Sequence, residues 1–118
     1  MTKSRKTDMA AADKLFSLIV RNRDGECVRC ASTDFLQCAH LVSRSYKTTR
    51  CDLDNAVTLC RGCHVYFTHH PLEWVEFCDE TWPGRYDRQR RRALSYERVD
   101  WGDKRAELTK LAKTGGVV

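Results

Sequence analysis

Four cysteines arranged as two C-x2-C pairs constrain this 118-residue chain more than any other feature of its sequence. Cys27 and Cys30 form the first pair, Cys60 and Cys63 form the second, and residues 31–59 lie between them. Zn²⁺ is held tetrahedrally by four thiolates, and each short pair can direct two sulfurs at one ion. We therefore predict a structural zinc site without an open coordination position. Two unrelated pairs of buried or redox-active cysteines are the alternative.

The cysteine count also bears on the compartment in which the protein works. Seven cysteines cannot all pair, which argues against a complete disulfide framework. No apolar run approaches the roughly 20 residues that span a bilayer, and the basic residues 1–6 are not followed by the apolar core of a secretory signal. These features predict a cytoplasmic protein, in which paired cysteines bind metal rather than each other. The remaining Cys38, Cys51 and Cys78 are expected to be small buried residues.

The order of apolar, polar and turn-forming residues predicts a single α+β domain over residues 1–118. In chain order we expect a frayed polar end (1–7), a helix (8–21), a strand (35–42), a long loop (43–55), a second strand (56–59), a helix from residue 63 or 64 that breaks at Pro71, a turn (82–84), an arginine-rich segment (85–98) and a last helix (102–113). A loop as long as 43–55 is usually functional in a small domain.

Three polar residues accompany the cysteine pairs. His40 ends the first predicted strand, Asn55 precedes the second, and His64 directly follows the last cysteine. At these spacings the three residues resemble the HNH endonucleases of the zinc-containing ββα-metal type, of the small stand-alone kind found in phages. The local strings CAHL, DLDN and LCRGCH are similar to those of that family. The resemblance covers about residues 27–77 and leaves out the N-terminal helix and the helical, arginine-rich C-terminal extension (82–118).

The resemblance implies a two-strand hairpin followed by a helix, clamped by zinc and flanked by the other helices. It also implies a DNA endonuclease that hydrolyses phosphodiester bonds with a single divalent ion, such as Mg²⁺ or Mn²⁺. His40 would be the general base that takes a proton from the attacking water, and its ordinary pKa suits that task. His64 would bind the divalent ion. Asn55 would brace the loop and orient His40, although in some members the matching residue binds the metal.

Two positions depart from the family pattern. Many members have Asp or His just before the first histidine as a second metal ligand, where this chain has Ala39. Some also have a histidine four residues after the second one, where this chain has Thr68. His69 is a candidate replacement ligand, and a solvated helix end is the alternative for it. Other groups could also complete the ligand set. One is an oxygen of Asn55, Asp52 or Asp54. Another is His40 itself, in which case a different group would act as the base.

The basic side chains predict an anionic partner, because the formal net charge is +5. Arg44 lies four residues after His40, where it could clamp the scissile phosphate, and a plain loop arginine is the alternative. Lys47 and Arg50 are candidates for contacts with the DNA backbone. In the arginine-rich segment, Arg88 and Arg91 are candidates for the same role, with Tyr86, Tyr96 and Trp101 as packing or stacking surfaces. A solvated helix face is the alternative for this segment.

Two other functions compete with the nuclease. Ala39 keeps open a non-catalytic zinc module that binds nucleic acid or protein through a degenerate HNH site. A redox protein is the third alternative, but the cysteine pairs do not lie in a βαβ pattern. The resemblance further implies a setting in a bacterial host cell, with a phage terminase or another DNA-processing protein as partner and no membrane.

Overall fold

The computed structural model of the protein describes residues 3–114, which form six α-helices around a two-stranded sheet. The elements are α1 (Lys3–Asp24), β1 (Leu36–His40), α2 (Lys47–Arg50), a 3-10 turn (Leu53–Asn55), β2 (Ala56–Cys60), α3 (Arg61–His69), α4 (Pro71–Thr81), α5 (Arg85–Ala93) and α6 (Trp101–Lys113). This arrangement confirms the predicted α+β class. Within this range, no helix is both long enough and apolar enough to cross a bilayer.

The first helix is longer than its apolar pattern predicts. Residues 3–7 are helical, which corrects the expectation of a frayed end, and residues 1 and 2 lie outside the described part of the chain. These first turns are supported by contact with α6, where the Arg105 guanidinium lies 3.0 Å from the Asp8 carboxylate. Tertiary contact of this kind stabilises helical residues that propensity alone would leave frayed. The helix ends at Asp24, three residues after the predicted end, where Gly25 adopts a left-handed conformation with φ +72°.

The apolar stripe of α1 is buried against α6 and the sheet. The core there consists of Ala12, Phe16, Ile19, Val20, Cys51, Ala56, Trp101 and Leu108. A second cluster lies on the α3 side of the sheet and comprises Cys27, Ala39, Leu59, Cys63 and Phe67. Because β2 is covered on both faces, its residues from Ala56 to Leu59 are all buried. This burial explains why that strand is a continuous run without polar alternation.

The two strands form an antiparallel hairpin whose register runs from Leu36 opposite Cys60 to His40 opposite Ala56. The connection between them is more ordered than the predicted loop 43–55, since it contains α2 and the 3-10 turn. The Asp52 carboxylate caps that turn by accepting a hydrogen bond from the Asp54 N–H at 3.0 Å. Such a side-chain cap is available only to a short polar residue at the first position of the turn.

Two arginines from opposite ends of the chain hold the start of β2. Arg23 of α1 donates to the main-chain oxygens of Leu53 and Ala56, each at 2.8 Å. Arg85 of α5 donates to the oxygen of Asp54 at 2.8 Å and to that of Ala56 at 3.4 Å. The flanking helices are therefore bonded directly to the connection between the strands.

The later helices begin close to the predicted positions. α3 begins at Arg61, two residues early, because the Cys60 sulfur serves as its cap and accepts from the Cys63 N–H at 3.5 Å. Pro71 separates α3 from α4 and occupies the first turn of α4, where its missing N–H costs nothing. The turn before α5 contains Gly84 at φ +83°, a conformation that other residues rarely adopt.

Candidate functional site

The four paired cysteines converge on one point. Their sulfur atoms all lie within 4.8 Å of one another, and those of Cys30 and Cys60 are 3.6 Å apart. Four sulfurs bound tetrahedrally to one Zn²⁺ at about 2.3 Å lie about 3.8 Å from each other. The cluster could therefore hold a structural metal such as zinc, as predicted. It comes from two separate parts of the chain, so a bound ion would clamp the start of the hairpin region to the start of α3.

The acidity of these thiols explains why a cation suits the cluster. Burial raises the pKa of Cys27, but backbone hydrogen bonds from Cys60, Cys30 and Arg29 together lower it to about 7. Burial, followed by the neighbouring thiols, raises the pKa of Cys63 to about 12. Four thiolates at this spacing would repel one another, so full deprotonation needs a positive ion at their centre.

The three remaining cysteines lie apart from this cluster. Cys51 and Cys78 are buried and Cys38 is half-buried. Burial raises the pKa of each thiol to about 12, so none is a reactive thiolate. Cys51 and Cys78 agree with the prediction of small buried residues, and Cys38 is less buried than predicted.

His40 and His64 line one open cleft of about 910 Å³ that lies between α1 and the α3–α4 hairpin. β1 crosses this cleft and presents alternate side chains to its two sides. Cys38 and His40 face α1, where the His40 ring lies 5.6 Å from the ring of Phe16. Gln37 and Ala39 face α3. His40 therefore reaches the cleft from the α1 side of β1, and His64 of α3 reaches it from the other side of that strand.

One hydrogen bond fixes the ring of His40. Its Nε2 atom lies 2.8 Å from the main-chain oxygen of Arg50. Because a carbonyl oxygen only accepts, Nε2 carries the proton and Nδ1 keeps the lone pair. No group within residues 3–114 forms a hydrogen bond with Nδ1. Burial lowers the pKa of His40; the charges of Arg44 and Arg50 act in the same direction, while the bond to Arg50 and the charge of Asp13 oppose it.

His64 is oriented in a similar way from the other side. Its Nδ1 atom lies 2.7 Å from Oε1 of Gln37, and an amide oxygen only accepts. Nδ1 therefore donates, and Nε2 has its lone pair available. Metal-binding histidines commonly hold their second ring nitrogen in this manner. Burial also lowers the pKa of His64, which keeps the ring neutral at pH 7.

Asn55 lies at the base of the connection between the strands and is completely buried, with 0% of its surface exposed. Its Oδ1 accepts from the Val42 N–H at 3.0 Å, and its Nδ2 donates to the oxygens of Val42 and Thr49 at 3.1 and 3.0 Å. Both ends of the amide are thus committed to the backbone. This position suits a brace for the connection and leaves no free oxygen for a metal.

The departures from the family pattern leave the cleft poor in metal ligands. Ala39 is 2% exposed on the His64 side of β1, and its methyl group occupies the position of the expected second ligand. Thr68 lines the cleft one turn after His64 and donates to the His64 oxygen at 2.7 Å. His69 is exposed and does not line the cleft. Within residues 3–114, the cysteine cluster is the one group of three or more metal-binding side chains.

The five predicted DNA contacts are distributed over different surfaces. Arg44 lines the cleft and reaches Asp13 at 3.4 Å. Arg50 is engaged by the same carboxylate, with contacts of 2.9 and 2.6 Å that form a two-pronged ion pair. Lys47 lies outside the cleft. On α5, Arg88 is exposed and Arg91 pairs with Asp87 at 2.9 Å. The structure therefore places one of the five, Arg44, in the lining of the histidine cleft, while Arg50 contacts His40 through its main-chain oxygen.

Two residues of this site were absent from the sequence-based prediction. Gln37 orients His64. It lies two residues before Ala39 on β1, so the side chains of Gln37 and Ala39 are on the same side of the strand. The alternation of strand side chains could therefore have identified it. Asp13 fixes Arg50 from α1, 37 residues away. No local pattern signals that pairing.

Comparison of the chain with protein-family models, with curated proteins and with solved structures finds no match in any of the three.

Proposed function

We propose that the protein is a metal-dependent DNA endonuclease that uses His40 as general base and His64 as ligand of a divalent ion. One observation carries this proposal. The two imidazoles line the same cleft, and each has one ring nitrogen fixed by a hydrogen bond while the other keeps its lone pair. A base and a metal ligand for phosphodiester hydrolysis both need a neutral, oriented ring of this kind.

In this proposal His40 performs the proton transfer. Its Nδ1 lone pair takes a proton from a water molecule as the water oxygen attacks phosphorus. Arg44, at the same cleft, offers a guanidinium that pairs with a non-bridging phosphate oxygen. A divalent ion bound at His64 would stabilise the charge that develops on the phosphate and on the leaving 3′-oxygen.

The small number of protein ligands in the cleft means that this ion would be bound weakly. His64 Nε2 is the one imidazole nitrogen offered to it from α3, and the carboxylate that lines the cleft, Asp13, is engaged by Arg50. Substrate phosphate and water would supply the other positions, which is common for Mg²⁺. We therefore expect activity only at millimolar concentrations of Mg²⁺ or Mn²⁺.

The same shortage of ligands favours a second candidate, a zinc-stabilised module that binds nucleic acid without cutting it. Ala39 and Thr68 stand where the missing ligands would be. The two candidates share the cysteine cluster and the positive charge, and they differ in whether His40 is needed for any reaction.

Plasmid cleavage distinguishes the two candidates. Supercoiled plasmid is incubated with the zinc-loaded protein and Mg²⁺ or Mn²⁺, using the unchanged chain, His40→Ala, His64→Ala and the matched control His69→Ala. The nuclease proposal expects activity that falls at least about 100-fold in both cleft variants and persists in His69→Ala. Cleavage that survives His40→Ala would refute the assignment of the base. Binding of plasmid without cleavage in any divalent ion would favour the non-catalytic module.

A further inference from the structure

A second cleft, of about 330 Å³, lies between α2 and the segment that joins α5 to α6. Its walls include Tyr46 and Tyr96, together with the cations Lys47 and Arg98. It shares no lining residue with the histidine cleft, but it begins at Ser45, next in the chain to Arg44 of that cleft. The two clefts therefore adjoin.

Tyr96 has an unusual conformation for an aromatic residue. Its backbone φ is +51°, in the left-handed region, and 70% of its surface is exposed. The residue follows the end of α5, where its N–H donates to the Ala93 oxygen at 3.4 Å, and burial of the ring does not account for a tyrosine there. Strained and exposed residues of this kind concentrate at binding sites.

The ring of Tyr96 faces the ring of Tyr46 at a centroid distance of 6.4 Å, with an angle of 37° between the planes. They form a tilted pair whose separation is near the long end of the range for aromatic contacts. A flat ring placed between them needs about 7 Å, which is twice the contact distance of about 3.5 Å between carbon atoms. A base between the rings therefore requires the exposed Tyr96 side chain to move away from Tyr46.

The positive charges near the two rings indicate that the ligand carries an anionic group. Within residues 3–114, the side chains of Lys47 and Arg98 form no ion pair or hydrogen bond, so both cations are available to an anion; Glu97 is the acidic residue in the same lining. Thr48 donates to the main-chain oxygen of Glu97 at 2.7 Å and fixes one wall of the cleft to the other. A flat aromatic group attached to an anion matches two rings and two cations, and a nucleotide combines both.

We propose that this cleft binds an unpaired nucleotide of a nucleic-acid strand, with its base between Tyr46 and Tyr96 and its phosphate at Lys47 and Arg98. The inference rests on the proposed function for the path of the strand, which passes Arg44 on its way from the histidine cleft. A paired base presents no free face to the two rings, so the substrate must be single-stranded, frayed or flipped at this point. The cleft thus adds a structural requirement to the proposed nuclease.

Binding measured without cleavage tests the inference. A labelled 12-nucleotide single strand is titrated by fluorescence anisotropy with zinc-loaded protein and no added divalent ion. Tyr96→Ala should weaken binding at least about fivefold, and Tyr96→Phe, the matched control that keeps the ring, should retain it. A strand with abasic positions should erase the difference between the unchanged chain and Tyr96→Ala, because no base remains to stack.

Two further results decide whether Tyr96 binds a nucleotide of a strand. Equal binding by Tyr96→Ala and the unchanged chain would overturn the inference. A free mononucleotide that competes as well as the strand would overturn the assignment to a strand. If Tyr96→Ala does not fold, Tyr96→Asn takes its place, because asparagine tolerates a positive φ. The titration contains no added divalent ion and measures no cleavage, so failure of the nuclease proposal leaves this test intact.

Discussion

The Nε2–H group of His40 donates to the main-chain oxygen of Arg50 at 2.8 Å, and the side chain of that same Arg50 is held by Asp13. The proposed base is thereby connected to α1, which lies outside the region of family resemblance. Arg50 is consequently committed within the fold, through its main chain to His40 and through its side chain to Asp13. Its main-chain oxygen positions the proposed base, and a contact of Arg50 with DNA stays a prediction.

The charges around His40 predict opposite effects for two substitutions. Arg44 lowers the pKa of His40 and Asp13 raises it, so Arg44→Gln should raise that pKa and Asp13→Asn should lower it. A base must be neutral, so the acid limb of the rate profile should move to higher pH in Arg44→Gln and to lower pH in Asp13→Asn. Titration of the His40 ring by NMR measures the same shifts without any assay of cleavage. Shifts of the same sign in both variants would contradict this account.

Asn55 should contribute strongly to stability, because three backbone groups depend on its side chain. Asn55→Ala leaves the N–H and the oxygen of Val42 without these partners and removes one donor from the Thr49 oxygen, which still accepts from the Asp52 N–H at 3.1 Å. At about 1 kcal/mol for each lost hydrogen bond, the cost is about 3 kcal/mol in all. Urea unfolding of the zinc-loaded protein measures this loss. Thr33→Ala, at an exposed position, is the control and should change stability by less than about 0.5 kcal/mol. A stable Asn55→Ala protein with weakened divalent-ion binding would instead favour a ligand role.

The cysteine cluster should bind one metal ion per chain. Cys30→Ser should lose the ion even though Cys30 is exposed, because three thiolates and a hydroxyl are a poorer set for zinc. Cys38→Ala should retain it, since Cys38 lies outside the cluster. Metal content measured by mass spectrometry, with thermal unfolding before and after chelation, checks both. Equal zinc in the two variants would refute the assignment.

A histidine placed one turn after His64 should strengthen binding of the second ion. Residues four apart lie on one face of a helix, and Thr68 already lines the cleft. Thr68→His should therefore lower the Mn²⁺ concentration needed for half-maximal binding about tenfold or more, measured by calorimetry on the zinc-loaded protein. The gain should vanish when His64→Ala is added. A gain that persists in the double variant would place the ion elsewhere.

Local sequence patterns predict much of the fold, but they do not predict the long-range contacts that hold the candidate site in place. The apolar stripe from Met9 to Val20 predicts α1, and Pro71 and Gly84 mark real breaks. The helical first turns of α1 depend on α6, nearly one hundred residues away. Likewise, a basic residue in a polar loop suggests a DNA contact, and only the folded chain brings Asp13 to Arg50. Long-range ion pairs carry no periodic signal in a single sequence.

The double hold of Arg23 and Arg85 on the start of β2 limits how the chain can be shortened. A fragment comprising residues 27–77 would retain all four cysteines and the three HNH-like residues, yet it would lack both guanidinium groups. The main-chain oxygens of Leu53, Asp54 and Ala56 would then lose their side-chain donors. The segment that carries the four cysteines and the three HNH-like residues is accordingly shorter than the unit whose side chains hold the start of β2.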